Sequence, residues 1–88
     1  MNMNNFGGPY NEPVQYISLG EVPSYMERVL SIQRSRQTVY NWTLKGVSRG
    51  LGQQVYLKSV KQAGKLMTTR QWVRDFIDEV SEIEELNS

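Results

Sequence analysis

The stretch that decides the fold runs from Ser35 to Gly46 and reads SRQTVYNWTLKG. Ser35 is a typical helix N-cap, because its hydroxyl can accept a hydrogen bond from a backbone N–H of the first turn. Gly46 is a typical helix stop, because glycine readily adopts the left-handed conformation that ends many helices. The stretch therefore predicts a helix over 36–45.

This helix is expected to have two unlike sides. Val39, Trp42 and Leu44 are expected on an inner, apolar side. The polar residues are left for an outer side, where they can reach a partner: Arg36, Gln37, Tyr40, Asn41 and Lys45.

The segment before it predicts another short helix. Residues 18–21 and 24–27 both fit the capping-box pattern of Ser followed three residues later by Glu. Pro23 separates the two boxes, and because proline lacks a backbone N–H we expect a short first turn and then a fresh helix over about 24–33. With a tight turn at 33–35, the two helices form a helix-turn-helix.

After Gly46 the sequence changes to a strand pattern. Three glycines punctuate a loop that holds Arg49, and residues 55–61 alternate imperfectly with β-branched and aromatic content. Residues 62–64 read as a hairpin connection and 65–68 as the returning strand. We expect a two-stranded wing over 54–68 that carries three lysines, Lys58, Lys61 and Lys65.

The last element is an amphipathic helix capped by Thr68 or Thr69, with apolar residues at helical spacing up to Ile83. The sequence thus predicts an α+β, mostly helical domain over 16–82, a disordered N-terminal arm over 1–15 and an acidic tail over 83–88. Four side chains are expected to anchor its core: Val39, Trp42, Trp72 and Phe76.

Charge is distributed unevenly along the chain. All ten Lys and Arg residues lie within 28–74, a stretch without Asp or Glu, whereas three acids precede it and six follow it. Opposite charges would alternate on a merely solubilising surface. A basic block favours a nucleic acid as partner, because neutralised phosphates release counterions.

Several function classes are disfavoured by composition. The chain has no Cys and no His, which removes the usual nucleophile, general base and zinc ligands. Asp75 and the Asp78–Glu79 pair could hold a divalent cation, but a solvated helix face is the simpler interpretation. We therefore expect no enzyme activity, no metal, no cofactor, no small-molecule ligand, no membrane span and a cytoplasmic location.

The motifs resemble those of a known group. Thr38, Val39, Trp42 and Gly46 follow the pattern T-(hydrophobic)-x-x-W-x-x-x-G, and 69–76 follows T-x-x-x-(hydrophobic)-x-x-F. With residues 17–21 and the basic hairpin, residues 16–80 resemble the small winged helix-turn-helix proteins of the MerR-like or excisionase type, found in phages and mobile elements.

The resemblance implies double-stranded DNA as the partner. The helix over 36–45 would face the major groove with six residues: Arg36, Gln37, Thr38, Tyr40, Asn41 and Lys45. The wing and nearby cations would contact the DNA backbone or minor groove: Arg34, Arg49, Lys58, Lys61, Lys65 and Arg70.

Two biological roles are compatible with such a group. One is an excisionase-like architectural factor, or recombination directionality factor, which binds repeated sites, bends DNA and assists an integrase. The other is a phage or mobile-element transcriptional repressor or activator. Either would act in a bacterial cytoplasm or an infected host cell. The acidic C-terminal helix could then meet an integrase or a neighbouring copy, and a protein-binding adaptor or inhibitor of the same fold remains a separate alternative.

Overall fold

A computed structural model describes residues 14–86 and shows a small α+β fold with three helices and two antiparallel sheets. The predicted arm over 1–15 lies outside the described residues except for positions 14 and 15, which have no regular structure. The helices are α1 (Val22–Tyr25), α2 (Arg36–Leu44) and α3 (Arg70–Leu86). The strands are β1 (Tyr16–Ser18), β2 (Val47–Gly50), β3 (Gln53–Val55), β4 (Val60–Gln62) and β5 (Lys65–Thr69).

The helical segment before α2 differs from the predicted helix over 24–33. It consists of a 3₁₀ turn over Leu19–Glu21, the four residues of α1, and a π-helical turn over Met26–Leu30. Ser31 then ends the segment in the left-handed conformation, with φ of 57°. Neither predicted capping box is formed, since Ser18 makes no side-chain cap in the described structure and Ser24 lies inside α1.

The π-helical turn also changes which side chains are buried. Val29 lies three positions after Met26, a spacing that keeps two residues on one face of an α-helix, yet 54% of its surface is exposed. Hydrogen bonds from i to i+5 widen the turn, so residues within it no longer keep the 3.6-residue phase. Met26, at the start of this turn, is fully buried.

The local signals at both ends of α2 are confirmed. The backbone N–H of Thr38 donates to the Ser35 hydroxyl at 3.2 Å, and Gly46, with φ of 73°, donates its N–H to the carbonyl of Asn41 at 2.9 Å. Val39 and Trp42 are buried as predicted.

The expected position of Leu44 on the inner side of α2 is wrong. Its side chain is 66% exposed. Residues two apart on a helix point in nearly opposite directions, at about 200° of rotation, so Leu44 cannot share a face with Trp42.

The single predicted wing is replaced by two hairpins. β2 pairs with β3, and Arg49 lies on β2 rather than in a loop. β4 pairs with β5, which also pairs with β1 to give a three-stranded sheet in the order β1-β5-β4. Residues 56–59, predicted as part of one long strand, connect the two hairpins, and the buried Thr68 hydroxyl donates to the carbonyl of Lys58 at 2.8 Å.

The core joins α2 to α3. The rings of Trp42 and Phe76 pack with centroids 4.9 Å apart. Trp72 is only half-buried and meets Tyr16 edge-on at 6.1 Å, so it covers the sheet end of the core rather than its centre.

The C-terminal boundary also differs from the prediction. Thr69 caps α3 by accepting a hydrogen bond from the Trp72 backbone N–H at 3.0 Å. The helix continues to Leu86, and Ile83 is buried with 6% exposure. Residue 83 therefore belongs to the packed domain and not to a separate tail.

Candidate nucleic-acid interface

A groove lies between α2 and the β4–β5 hairpin, with the 3₁₀ turn at one end. Its volume is 730 Å³, and both polar and apolar side chains line it. It is the place where the helix and the basic hairpin, for which the resemblance implies separate contacts with DNA, come together. We call it the α2–hairpin groove.

The α2 wall of this groove is a stripe of three residues four positions apart. Arg36, Tyr40 and Leu44 follow one another along the same side of the helix. Arg36 is exposed in the first turn and Tyr40 is 37% exposed in the middle. The stripe thus changes from cationic through aromatic to aliphatic along the helix.

The opposite wall is the β4–β5 hairpin. Lys61 and Lys65 line the groove, and both are exposed. In the antiparallel register, Lys65 pairs with Gln62 and Lys61 with Leu66, next to the Ala63–Gly64 turn. The two lysines therefore stand on adjacent rungs of one short ladder, with Lys65 beside the turn.

The 3₁₀ turn positions Arg36. A Cβ placed on Gly20 would lie 3.8 Å from Nε of Arg36, so a side chain as small as alanine at position 20 would reach van der Waals contact with the guanidinium. Glu21 also lines the groove, so three cationic residues and one acidic residue line it among the described residues. Arg36 stands at the positive end of the α2 dipole, and both charges attract an anion such as a phosphate.

The other predicted residues of α2 lie beside the groove rather than in it. Gln37 donates to the Asn41 side-chain oxygen at 3.1 Å, which joins two exposed amides on the outward face. The Thr38 hydroxyl is 3.1 Å from the Ser35 hydroxyl, so Thr38 belongs to the helix cap. Lys45 is exposed at the C-cap of α2.

Two of the predicted backbone-contacting cations, Arg49 and Lys58, lie near acidic residues of α3. Arg49 forms an ion pair with Glu79 at 3.2 Å. Lys58 does not lie on the hairpin as predicted; it lines a separate cleft with Asp75 and Glu79 on α3.

Two further predicted cations, Arg34 and Arg70, are also away from the α2–hairpin groove. Arg34 donates to the carbonyl of Gln33 at 2.7 Å in the turn before α2. The guanidinium of Arg70 lies 5.9 Å from the ring centre of Tyr25 and lines a cleft with Arg28.

The sequence predictions assign neither Leu44, Leu66 nor Glu21 to the site, although all three line the groove. Leu44 is eight positions from Arg36, and that spacing keeps residues on neighbouring parts of one helix face. Leu66 and Met67 are both half-buried, and Thr68 and Thr69 are both buried, so β5 has no alternation that assigns Leu66 to one side. Glu21 comes into the groove because the short first turn forms a 3₁₀ turn that contacts both α2 and β5, and these tertiary contacts have no local sequence signal.

Other kinds of site find little support in the part of the chain that is described. Among residues 14–86, no three Asp, Glu, His or Cys side chains are grouped so that they could hold a metal ion. None of the described helices combines the length and the apolar character needed to cross a membrane.

Comparison of the chain with protein-family models, with curated proteins and with solved structures gives no match. The functional interpretation therefore rests on the residues and geometry of the α2–hairpin groove.

Proposed function

We propose that this protein is a sequence-specific double-stranded DNA-binding protein of the winged helix-turn-helix type. In this proposal α2 enters the major groove and the β4–β5 hairpin is the wing that lies along the DNA backbone. The observation that carries it is the α2–hairpin groove, which is lined by Arg36 from the helix and by Lys61 and Lys65 from the hairpin.

The residue types fit the two tasks of such an interface. Arg36 and the Gln37–Asn41 amides have the donors and acceptors that read guanine and adenine edges in the major groove. Lys61 and Lys65 carry compact charges suited to phosphates, which fix register but do not read sequence. Tyr40 stands between the two groups and can donate its hydroxyl to a phosphate.

A non-enzymatic role is part of the proposal. The chain contains neither His nor Cys, so acid–base or nucleophilic chemistry would depend on carboxylates or lysines. The groove brings together three cations and one carboxylate, which is an arrangement for binding an anion.

Within this class we propose an excisionase-like architectural role. The support is the charge of α3, whose exposed Asp78 and Glu82 offer an acidic surface to a basic partner such as an integrase or a neighbouring copy. A promoter-binding regulator is the alternative. The two are separated by measuring the bend of a bound duplex by energy transfer between dyes at its ends.

The DNA-binding claim is tested by a duplex mobility-shift assay on variants. Arg36→Ala should reduce discrimination between sequences, whereas Lys65→Ala should weaken binding to all duplexes about equally. Arg28→Ala is the matched control, because it removes one exposed cation outside the α2–hairpin groove and should change neither property. Absence of any duplex binding at about 50 mM salt, where phosphate contacts are strongest, would refute the proposal.

A further inference from the structure

Leu44 lines the α2–hairpin groove but has no role in the proposed function. A single exposed leucine is common on protein surfaces and implies nothing alone. Leu44, however, continues the stripe of Arg36 and Tyr40 along α2 and lines the same groove, opposite the half-buried Leu66. An aliphatic side chain thus stands, 66% exposed, on the helix face proposed to enter DNA.

The length of the stripe matches the target. Eight residues of α-helix span about 12 Å, which is also about the width of the B-DNA major groove. With the Arg36 end near one set of phosphates and bases, Leu44 lies at the far end of the stripe. An apolar group on a base edge would be its complementary partner there.

The major groove offers one such group on unmodified DNA, the C5-methyl of thymine. We propose that Leu44 is a specificity-determining residue that recognises this methyl group and so selects a T·A base pair. The inference rests on the proposed function and adds the identity of one base in the target. Uracil pairs identically but lacks the methyl, so replacing thymine by uracil isolates this contact.

The test begins with selection of binding sites from a pool of random duplexes by the wild-type protein. Each thymine of the selected site is then replaced by uracil and the dissociation constant is measured. At one position the wild type should lose about fourfold in affinity, the value expected for burying one methyl group. Leu44→Ala should bind the thymine and uracil duplexes equally.

Leu51→Ala is the matched control. It makes the same truncation at a leucine that is fully exposed in the β2–β3 turn, and it should keep the wild-type preference for thymine. Because Leu44 is exposed, its truncation should leave the melting temperature unchanged, which circular dichroism checks.

Several results would overturn the inference while leaving DNA binding intact. One is a selected pool without a preferred sequence, and another is equal affinity of the wild type for thymine and uracil at every position. A third is a Leu44→Ala variant that loses the same affinity on both duplexes together with cooperative binding, which would assign Leu44 to a contact between neighbouring copies. Recovery of no duplex at all would instead remove the proposed function, and this inference with it.

Discussion

The Nη1 atom of Arg49 lies 3.2 Å from the Oε2 atom of Glu79, and this ion pair connects the β2–β3 hairpin to α3. Both side chains are nearly half exposed, at 43% and 46%. Such an exposed pair contributes less than about 1 kcal/mol to stability. Its larger consequence concerns DNA binding, because Glu79 pairs with Arg49, for which the resemblance implies a contact with the DNA backbone.

Glu79→Gln should therefore strengthen DNA binding without changing the fold. Once Arg49 is released, it can neutralise one more phosphate, so the log–log dependence of affinity on salt should steepen by up to about 0.9. The free energy of unfolding should change by less than about 1 kcal/mol. Fluorescence anisotropy titrations at several salt concentrations measure the first quantity, and urea denaturation measures the second.

Glu82→Gln is the control for this prediction, since it removes the same charge from an exposed position of the same helix. An equal steepening in both variants would show that net charge, and not the release of Arg49, is responsible.

Gly46, which follows the C-terminal end of α2, allows a prediction about stability. At Gly46, φ is 73° and an added Cβ would lie 2.6 Å from the Val55 carbonyl oxygen. At Gly52, φ is 78° but no described atom lies within 4 Å of such a Cβ. Both alanine substitutions cost about 1 kcal/mol for the left-handed backbone, and Gly46→Ala should cost about 1–3 kcal/mol more because of the clash.

Chemical denaturation of the two variants in parallel checks this difference. Equal losses would mean that Gly46 is required only for its conformation and that β3 does not pack closely against the end of α2.

The start of α2 allows a second comparison. Ser35→Ala removes the acceptor of the Thr38 N–H and should cost about 1 kcal/mol, the usual value of an N-cap. Ser24→Ala is the matched control, because Ser24 fits a capping box in the sequence but lies inside α1. Thermal melts should show a lowered midpoint for Ser35→Ala alone, and a comparable drop for Ser24→Ala would contradict the described first helix.

The elements that the sequence predicts well are those with local signals. Ser35 and Gly46 bound α2 because capping and the left-handed stop depend on a few neighbouring residues. Thr69 begins α3 for the same reason. Trp42 and Phe76 were expected in the core, and their contact unites the two helices.

The elements that the sequence misses depend on distant residues or on unusual backbone. β1 forms only because Tyr16 meets Thr69, more than fifty positions away. The β2–β3 turn places Leu51, a residue without the freedom of glycine, at φ of 54°, so residues 47–55 carried no standard hairpin signal. Lys58 lies outside the predicted wing because residues 56–59 connect the two hairpins and belong to neither.

The candidate site was predicted in part for the same reason. Helical spacing and charge select Arg36 and Tyr40, and the hairpin signal at Gly64 brings Lys61 and Lys65 beside them. Charge alone could not distinguish these lysines from Arg49, since its pairing with Glu79 depends on how the β2–β3 hairpin packs against α3.

The salt dependence of duplex binding tests the central claim most directly. If Lys61 and Lys65 each neutralise a phosphate while Arg36 reads a base edge, the log–log slope of the wild type should be about −1.8 or steeper, which is a loss of about twelvefold in affinity between 50 and 200 mM salt. The double variant Lys61→Ala/Lys65→Ala should reduce the slope by about 1.8. Arg28→Ala/Lys58→Ala, which removes the same charge outside the groove, should leave the slope unchanged. Equal reductions by both double variants, or no binding at the lowest salt, would contradict the assignment of the α2–hairpin groove to DNA.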